Sequence, residues 1–546
     1  MVHRNPLFLA IQIFKKDKKL STITYHQIRE QLLAGQEIAI VDLREEYIFA
    51  QNHPLFASNI SLSRLEIEIY NRIPRLDTLV VIYDDVATRV EAAHKKLIEY
   101  GYQNVHILED GIQAWQRDGG ELFIDVNSAS KAFGEWVEHY KGTPSMSAEE
   151  LQAKIDANDN IVILDARRFD EYQTMSIPTG ISVPGAELAL RAPSLVKDEN
   201  TQIIVNCAGR TRSIIGTQSL INAKIPHEIF ALRNGTIGWT LANQQLEQGQ
   251  TRSYQDISTE SVEQIRANAQ QLAEQAGVKT INFEQLKNLR EDKTRTTYVF
   301  DVRSEQEYIQ GHIPNSRWVA GGQLVQETDH YAAVRGARIV LVDPLYTRAY
   351  MTGSWLAQMN WDVSVLVDER HDLYNEQGVW KPVTPQIAID QLLTPEQLKT
   401  LLAEQEIAIW DFTTAANYRK GHIPTAQWLL KADVTQVIQR SEFANKAAIV
   451  VTCGSSLLAQ YAVADIQTHL KPEQKVYVLA GGNAAWVKAG FELSTDNDFL
   501  SEQIDRYKRP YEGTDNSKEA MQAYLDWEFG LVDQLKKDAT HGFFVI

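Results

Sequence analysis

The sequence predicts an α/β protein built from four copies of one unit, each a small parallel sheet flanked by helices. Three observations predict it. Apolar runs end in aspartate, as in Ile161–Asp165 and Ile407–Asp411. A marker residue follows each such aspartate after 42 residues: Cys207 after Asp165, Cys453 after Asp411, Asp84 after Asp42 and Asp343 after Asp301. Single shifts then superpose several markers at once. A shift of 123 carries Asp42, Asp84 and Arg89 onto Asp165, Cys207 and Arg212. A shift of 136 carries Cys207 and Arg212 onto Asp343 and Arg348, and one of 110 carries Gly311-His312-Ile313-Pro314, Trp318 and Asp343 onto Gly421-His422-Ile423-Pro424, Trp428 and Cys453. Such periodicity is the signature of a repeated structural unit.

The elements repeat in a fixed order. The β-rich run ends at the aspartate. A turn follows, His-Ile-Pro in the third and fourth copies and Ser176-Ile177-Pro178 in the second. A second apolar run (79–83, 203–206, 339–342, 448–452) leads directly into the marker residue. A helical stretch comes next, such as 213–223 or 457–470, and a third β run, such as 105–108 or 476–479, closes the unit. In three copies a Gly-x3-Trp signature follows: Gly111 to Trp115, Gly235 to Trp239 and Gly482 to Trp486. Short continuous apolar strands alternating with helices predict a parallel sheet buried on both faces. The marker residue then lies at the carboxyl edge of a strand, where such sheets bind ligands.

Polar, helix-favouring stretches at 127–140 and 258–277 predict linker helices, with boundaries near 126–143, 251–277 and 385–392. The units accordingly span 20–125, 144–250, 278–385 and 392–495. Residues 496–546 lie outside the repeat, and 517–537 is expected to be a helix docked on the fourth unit. The apolar stretch 7–14 is followed by lysines and is expected to be a strand or arm rather than a secretion signal.

A chain of 546 residues with 44% apolar and 23% charged residues has material for three to five cores. Its net charge of −17 argues against a nucleic-acid partner, which requires a basic face. No run of 18 apolar residues occurs, so no membrane-spanning helix is expected. Two cysteines cannot build a disulfide framework, and their shared slot points to thiol chemistry in a reducing, cytoplasmic compartment. The 13 histidines form no ligand-like cluster, so neither a metal nor an organic cofactor is expected, and His312 and His422 are expected to be structural.

The second copy's slot reads Cys207-Ala208-Gly209-Arg210-Thr211-Arg212-Ser213. It places a thiol at a strand end, ahead of a helix N-terminus. Convergent backbone N–H groups and the helix dipole favour negative charge there, so Cys207 is expected to have a lowered pKa and to be a nucleophile. Gly209 lets the backbone curl, and Arg210 and Arg212 add positive charge suited to an anionic substrate. Cysteine phosphatases use a comparable loop with Cys-x5-Arg. Here Arg212 is the fifth residue after Cys207 and Ser213 the sixth, a smaller ring better matched to sulfur than to a tetrahedral phosphate.

With its Asp-x-Arg-x-x-x-Glu-Tyr pattern (Asp165, Arg167, Glu171, Tyr172; Asp301, Arg303, Glu307, Tyr308), its Gly-His-Ile-Pro turns and the loop from Cys207 to Arg212, the chain resembles the rhodanese, or thiosulfate sulfurtransferase, family over roughly residues 20–495. The resemblance implies four tandem rhodanese-like domains. It implies that Cys207 carries a sulfane sulfur as a persulfide, taken from a small donor such as thiosulfate and passed to cyanide, a thiol or a protein acceptor. Ala208, Gly209 and Thr211 would line the substrate cradle, with Arg210 and Arg212 stabilising departing sulfite. Asp165, Arg167 and Glu171 would form a polar bracket under the loop. Asp84 and Asp343 would mark inactive copies that shape a neighbouring site, in tandem pairs of copies one with two and three with four. The fourth loop, Cys453-Gly454-Ser455-Ser456-Leu457-Leu458, lacks arginine; its Cys-Gly-Ser resembles 3-mercaptopyruvate sulfurtransferases, so Cys453 is a candidate second site. A non-catalytic scaffold or a protein-to-protein sulfur carrier is the competing reading.

Overall fold

The structure, a computed structural model, describes residues 20–254, 257 and 262–546, apart from the side chain of His371. The stretch 7–14 and the start of the second linker lie outside the described residues.

Each unit contributes five strands that pair in parallel in the order first-fifth-fourth-second-third. In the second unit these are Ser145–Met146, Ile161–Asp165, Ile181–Ser182, Gln202–Asn206 and Ile229–Leu232. The 42-residue spacing has a structural cause in the register. The aspartate that ends the second strand is the partner of the residue that ends the fourth: Asp42 with Tyr83, Asp165 with Asn206, Asp301 with Val342 and Asp411 with Thr452. The next residue is the marker, which therefore leaves the sheet at the same edge every time. The central strands are buried along most of their length, because helices cover both faces.

Three units lock the second strand's end with one buried ion pair. Asp165 accepts hydrogen bonds from the Arg167 backbone N (3.0 Å), Nε (2.9 Å) and Nη2 (2.7 Å), and Arg167 Nη2 also reaches the Met175 carbonyl at 2.6 Å. Arg44 does the same with Asp42 and the Asn52 carbonyl, and Arg303 with Asp301 and the Gly311 carbonyl. The fourth unit has Thr413 there, and Asn483 Nδ2 takes over at 2.7 Å from Asp411. The histidines of the turns are structural: His312 and His422 stack on Tyr308 and Tyr418 at 3.8 Å and hold the tyrosines' carbonyls through Nδ1.

Spatial neighbours differ from the sequence pairs. The second unit packs on the third, where Trp355 Nε1 donates to Ser219 Oγ at 2.8 Å and Arg348 bonds Glu187 at 2.8 Å. The first packs on the fourth through the buried Lys431–Glu66 pair (2.6 Å), Lys96–Asp465 (3.1 Å) and Arg89–Asp433 (3.2 Å). The first and third share a sheet: Val334–Arg335 adds antiparallel to Ile38 and Ala39. The linker helices Ser128–Lys141 and Val262–Gln275 are built into these interfaces, burying Ala132, Phe133 and Val137, and Ile265, Ala269 and Ala273.

The C-terminal helix, Lys518–Asp538, does not dock on the fourth unit. Residues 498–511 run from the fourth unit across the first: Leu500 N donates to the Trp428 carbonyl, and Tyr507 N to Glu46. The helix then lies on the second unit, where Met521, Tyr524 and Leu525 cluster with Ile237. The crossing segment carries the helix past the fourth unit, so its apolar positions Met521, Tyr524 and Leu525 pack on the second instead.

The contact between units two and three is tight enough to test. A Cβ on Gly322 would lie 2.9 Å from Gly185 Cα. Gly322→Val is expected to destabilise this interface by about 1–3 kcal/mol through overpacking, read as a lower thermal midpoint and faster proteolysis between units.

Candidate active site

The loop of the second unit is shaped by the Gly-x3-Trp element. The helix Gly235–Leu241 begins under the loop, and its amides point at loop carbonyls: Thr236 N to Cys207 O at 2.9 Å, Ile237 N to Ala208 O at 3.0 Å. Gly235 has φ +54°, and a Cβ on it would sit 2.2 Å from the Cys207 carbonyl oxygen. Only glycine admits this approach. With its first carbonyls held by this helix, the backbone N–H groups of Ala208, Gly209 and Arg210 have no hydrogen-bond partner among the described residues. The fourth unit repeats the clamp, Asn483 N to Cys453 O at 2.8 Å, with Gly482 at φ +60°. Trp239 anchors the clamp through Nε1 to the Gln245 carbonyl at 2.8 Å.

Cys207 is 2% exposed, and its thiol donates to Ser213 Oγ at 3.4 Å. Burial pushes the thiol above its ordinary pKa; Arg212 and Ser213 pull it down but less strongly, and Glu528 adds to the rise. The expected lowered pKa is therefore corrected: the shift is upward. Its cause is the C-terminal helix, which covers the loop: a Cβ on Gly209 would lie 3.1 Å from Tyr524 Cε1 and 3.2 Å from Glu528 Oε2. Water removed from over the sulfur outweighs one nearby guanidinium.

The two arginines are both paired with carboxylates. Arg212 makes a bidentate contact with Glu171, at 2.7 and 2.9 Å. Arg210 grips Glu135 of the linker helix at 2.7 and 2.9 Å, touches Asn234 Oδ1 at 3.2 Å and stacks on Phe529 at 4.4 Å. Glu171 thus belongs to Arg212 rather than to the Asp165–Arg167 bracket. Burial works to raise the Glu171 pKa, but Arg212 and Arg167 bring it down to about 2. Thr211 is buried with its hydroxyl unpartnered, and Ala208 is held through its carbonyl by Ile237 N and Thr236 Oγ1. A cavity of about 580 Å³ among the units reaches Arg212 and Glu171 from one side and Arg64 of the first unit from another.

The aspartate copies fill their own loops. Asp343 Oδ2 accepts Arg348 N at 2.9 Å, and Oδ1 accepts Leu345 N at 3.2 Å and Arg348 Nη2 at 2.9 Å. Asp84 accepts Val86 N at 2.9 Å. A carboxylate there occupies amides that the second unit leaves open. Cys453 is buried in an apolar core cluster with Leu458. Arg64 of the first unit, bound to Glu68, lies within electrostatic range of it.

Arg64, Glu135, Tyr524 and Glu528 were not legible as site residues, since each meets its loop from another unit, a linker or the tail. The acidic residue in the linker helix and the Tyr524–Glu528 spacing carried no local signal of their target.

Two measurements check the electrostatics. Alkylation of Cys207 by iodoacetamide, followed by peptide mass spectrometry, is expected to titrate with a midpoint above the free-thiol value of about 8.5. Glu171 has a lower pKa folded (about 2) than its ordinary 4.5, so its pairing with Arg212 stabilises the fold above about pH 4.5, and that contribution is lost as pH falls toward 2. Glu171→Gln is expected to flatten that part of the acid-unfolding curve.

Comparisons with known proteins agree with the fold. The rhodanese-like domain model matches residues 25–118, 147–242, 282–368 and 394–489. A solved structure, the thiosulfate sulfurtransferase from Pseudomonas aeruginosa, superposes with a TM-score of 0.92 at 53% identity, covering 96% of this chain and 100% of that one. A Bacillus subtilis (strain 168) protein named "Putative sulfur carrier protein YrkF" is 26% identical over 132 residues, 21% of this chain and 68% of that protein. The uncharacterized protein BU052 of Buchnera aphidicola is 30% identical over 124 residues, 22% of this chain and 80% of that protein. Matched at all four of its repeats and along nearly its whole length, the chain belongs to the rhodanese-like domain family.

Proposed function

We propose that this protein is a sulfurtransferase that moves a sulfane sulfur from thiosulfate, through a persulfide on Cys207, to cyanide or a thiol. One observation carries the reading: Cys207 is the marker that combines a thiol, a loop with open amides and adjacent arginines. The Pseudomonas aeruginosa thiosulfate sulfurtransferase, similar over 96% of the chain, supports it.

The chemistry is a pair of displacements at sulfur. The Cys207 thiol first loses its proton to water. The thiolate attacks the outer sulfur of thiosulfate, the bond between that sulfur and the sulfonate sulfur breaks, and sulfite leaves with the electron pair. The resulting anionic persulfide is held by the loop amides. A thiolate or cyanide then attacks the outer sulfur and Cys207 leaves as thiolate. Arg212 borders the central cavity and is the cation placed for the sulfonate end, while Arg210 holds the loop against Glu135 and Phe529. Ala208, Gly209 and Thr211 supply cradle backbone.

The second and fourth units carry the thiols, and the first and third act as scaffolds. Cys453, at the matching strand end of the fourth unit, is read as a secondary sulfur site. Both cysteines are free thiols, which fits a reducing, cytoplasmic setting. The covered Cys207 also favours a second reading, delivery to a protein acceptor that displaces the tail; the sulfur carrier name of the Bacillus subtilis relative accords with it.

Cys207→Ser is expected to keep less than about a tenth of thiosulfate:cyanide turnover, a barrier increase of at least about 1.4 kcal/mol. Mass spectrometry of the wild-type protein after thiosulfate treatment is expected to show one added sulfur on the Cys207 peptide. Arg212→Ala is expected to weaken thiosulfate use about tenfold or more, as loss of a charge-assisted contact does. Turnover above about a tenth of wild type in Cys207→Ser would refute the assignment.

A further inference from the structure

The inner face of the C-terminal helix places a carboxyl on the active loop. Glu528 is 0% exposed. Its Oε1 accepts the Tyr524 hydroxyl at 2.8 Å, while Oε2 is buried with no hydrogen-bond partner. That orphan oxygen is the one lying 3.2 Å from where a Gly209 Cβ would be, two residues from the nucleophile. The charged groups around it are otherwise engaged. Lys131, from the linker helix, is bonded to Asp125 at 2.7 Å and enclosed by the rings of Tyr511, Tyr524 and Trp527. Glu135 is bonded to Arg210.

We propose that Glu528 is the charge-selecting residue of the Cys207 site: its unpartnered carboxyl oxygen donates a hydrogen bond to an anionic sulfur donor, and its ionisation excludes such donors. The proposal rests on the sulfurtransferase reading of Cys207. Burial, with Glu135 adding and Lys131 opposing, pushes the Glu528 pKa up to about 8. The acid therefore keeps its proton at neutral pH. With Oε1 taken by Tyr524, the proton falls on Oε2. A buried donor without an acceptor is costly, and the oxygen of an anionic donor brought to the Cys207 loop removes that cost. Once ionised, the same oxygen places a like charge against the incoming anion.

Iodoacetate and iodoacetamide test this directly. In both, the Cys207 thiolate forms a C–S bond and iodide leaves with the electron pair, so Cys207 ionisation cancels in their rate ratio and only the reagent's charge remains. Peptide mass spectrometry reads the ratio at Cys207 across pH 6.5–9.5. In the wild-type protein the iodoacetate:iodoacetamide ratio is expected to fall about tenfold or more across that range, as like charges meet in a site of low dielectric. In Glu528→Gln the ratio is expected to be flat. The wild-type curve needs no variant, so misfolding of Glu528→Gln cannot rescue the idea. A flat wild-type ratio, an equal fall in both proteins, or no labelling of Cys207 by either reagent would overturn it. Thiosulfate loading, measured in parallel, separates the two readings. Sulfur on Cys207 with a flat ratio sinks only the role of Glu528. A falling ratio without sulfur loading supports charge selection and sinks the thiosulfate reading.

Discussion

The parallel register that sets Asp165 opposite Asn206 governs the rest of the site. It fixes where the fourth strand ends, and hence where Cys207 leaves the sheet. The Asp165–Arg167 pair then ties that edge to the turn at Met175. A buried ion pair of this kind is a weak source of net stability. Its geometry, with carboxylate and guanidinium both satisfied, instead makes one arrangement of strand end and turn much better than its neighbours. The loop, the clamp from Gly235 and the helix Thr211–Asn222 all inherit their positions from that edge.

Much of this was legible in the chain. The period exposed the fold because strand register is a local, repeated constraint, and the markers Asp165, Cys207, Arg212 and Trp239 recur with it. The Cys207 environment was less legible. Helix dipole and arginines, both adjacent in sequence, argued for a stabilised thiolate. The opposing burial comes from Tyr524 and Glu528, more than 300 residues away in the chain. The arginines' partners are similarly remote: Glu171 is 41 residues from Arg212, and Glu135 is 75 from Arg210. The docking of the tail was misread for the same reason, since an amphipathic helix declares that it has a partner without declaring which.

The units have also diverged in how they balance charge. In the third, Arg348 is shared by Asp343, Glu307 and Glu187, so its loop is neutralised from inside and from the neighbouring unit. In the fourth, the loop has no cation of its own, and Arg64 of the first unit lies within electrostatic range of Cys453. The second stands between them, with its arginines paired at the loop's flanks and its amides open at the centre. Loss of the thiol in one copy thus goes with a self-filled loop, and retention of it with groups supplied from elsewhere in the chain.

The strand Val334–Arg335, lying along Ile38 and Ala39, bears on how the chain is made. An uncovered strand edge is a template for another chain. The first unit is synthesised long before residue 334 exists, and domains otherwise fold as they emerge. Its own strand Ala57–Asn59 covers Ile40–Asp42, but Ile38 and Ala39 must wait unpaired on that side until the third unit arrives. The protein is four domains by sequence but completes its first sheet only with its third, and a polypeptide stopped short of the third unit would leave that strand start open.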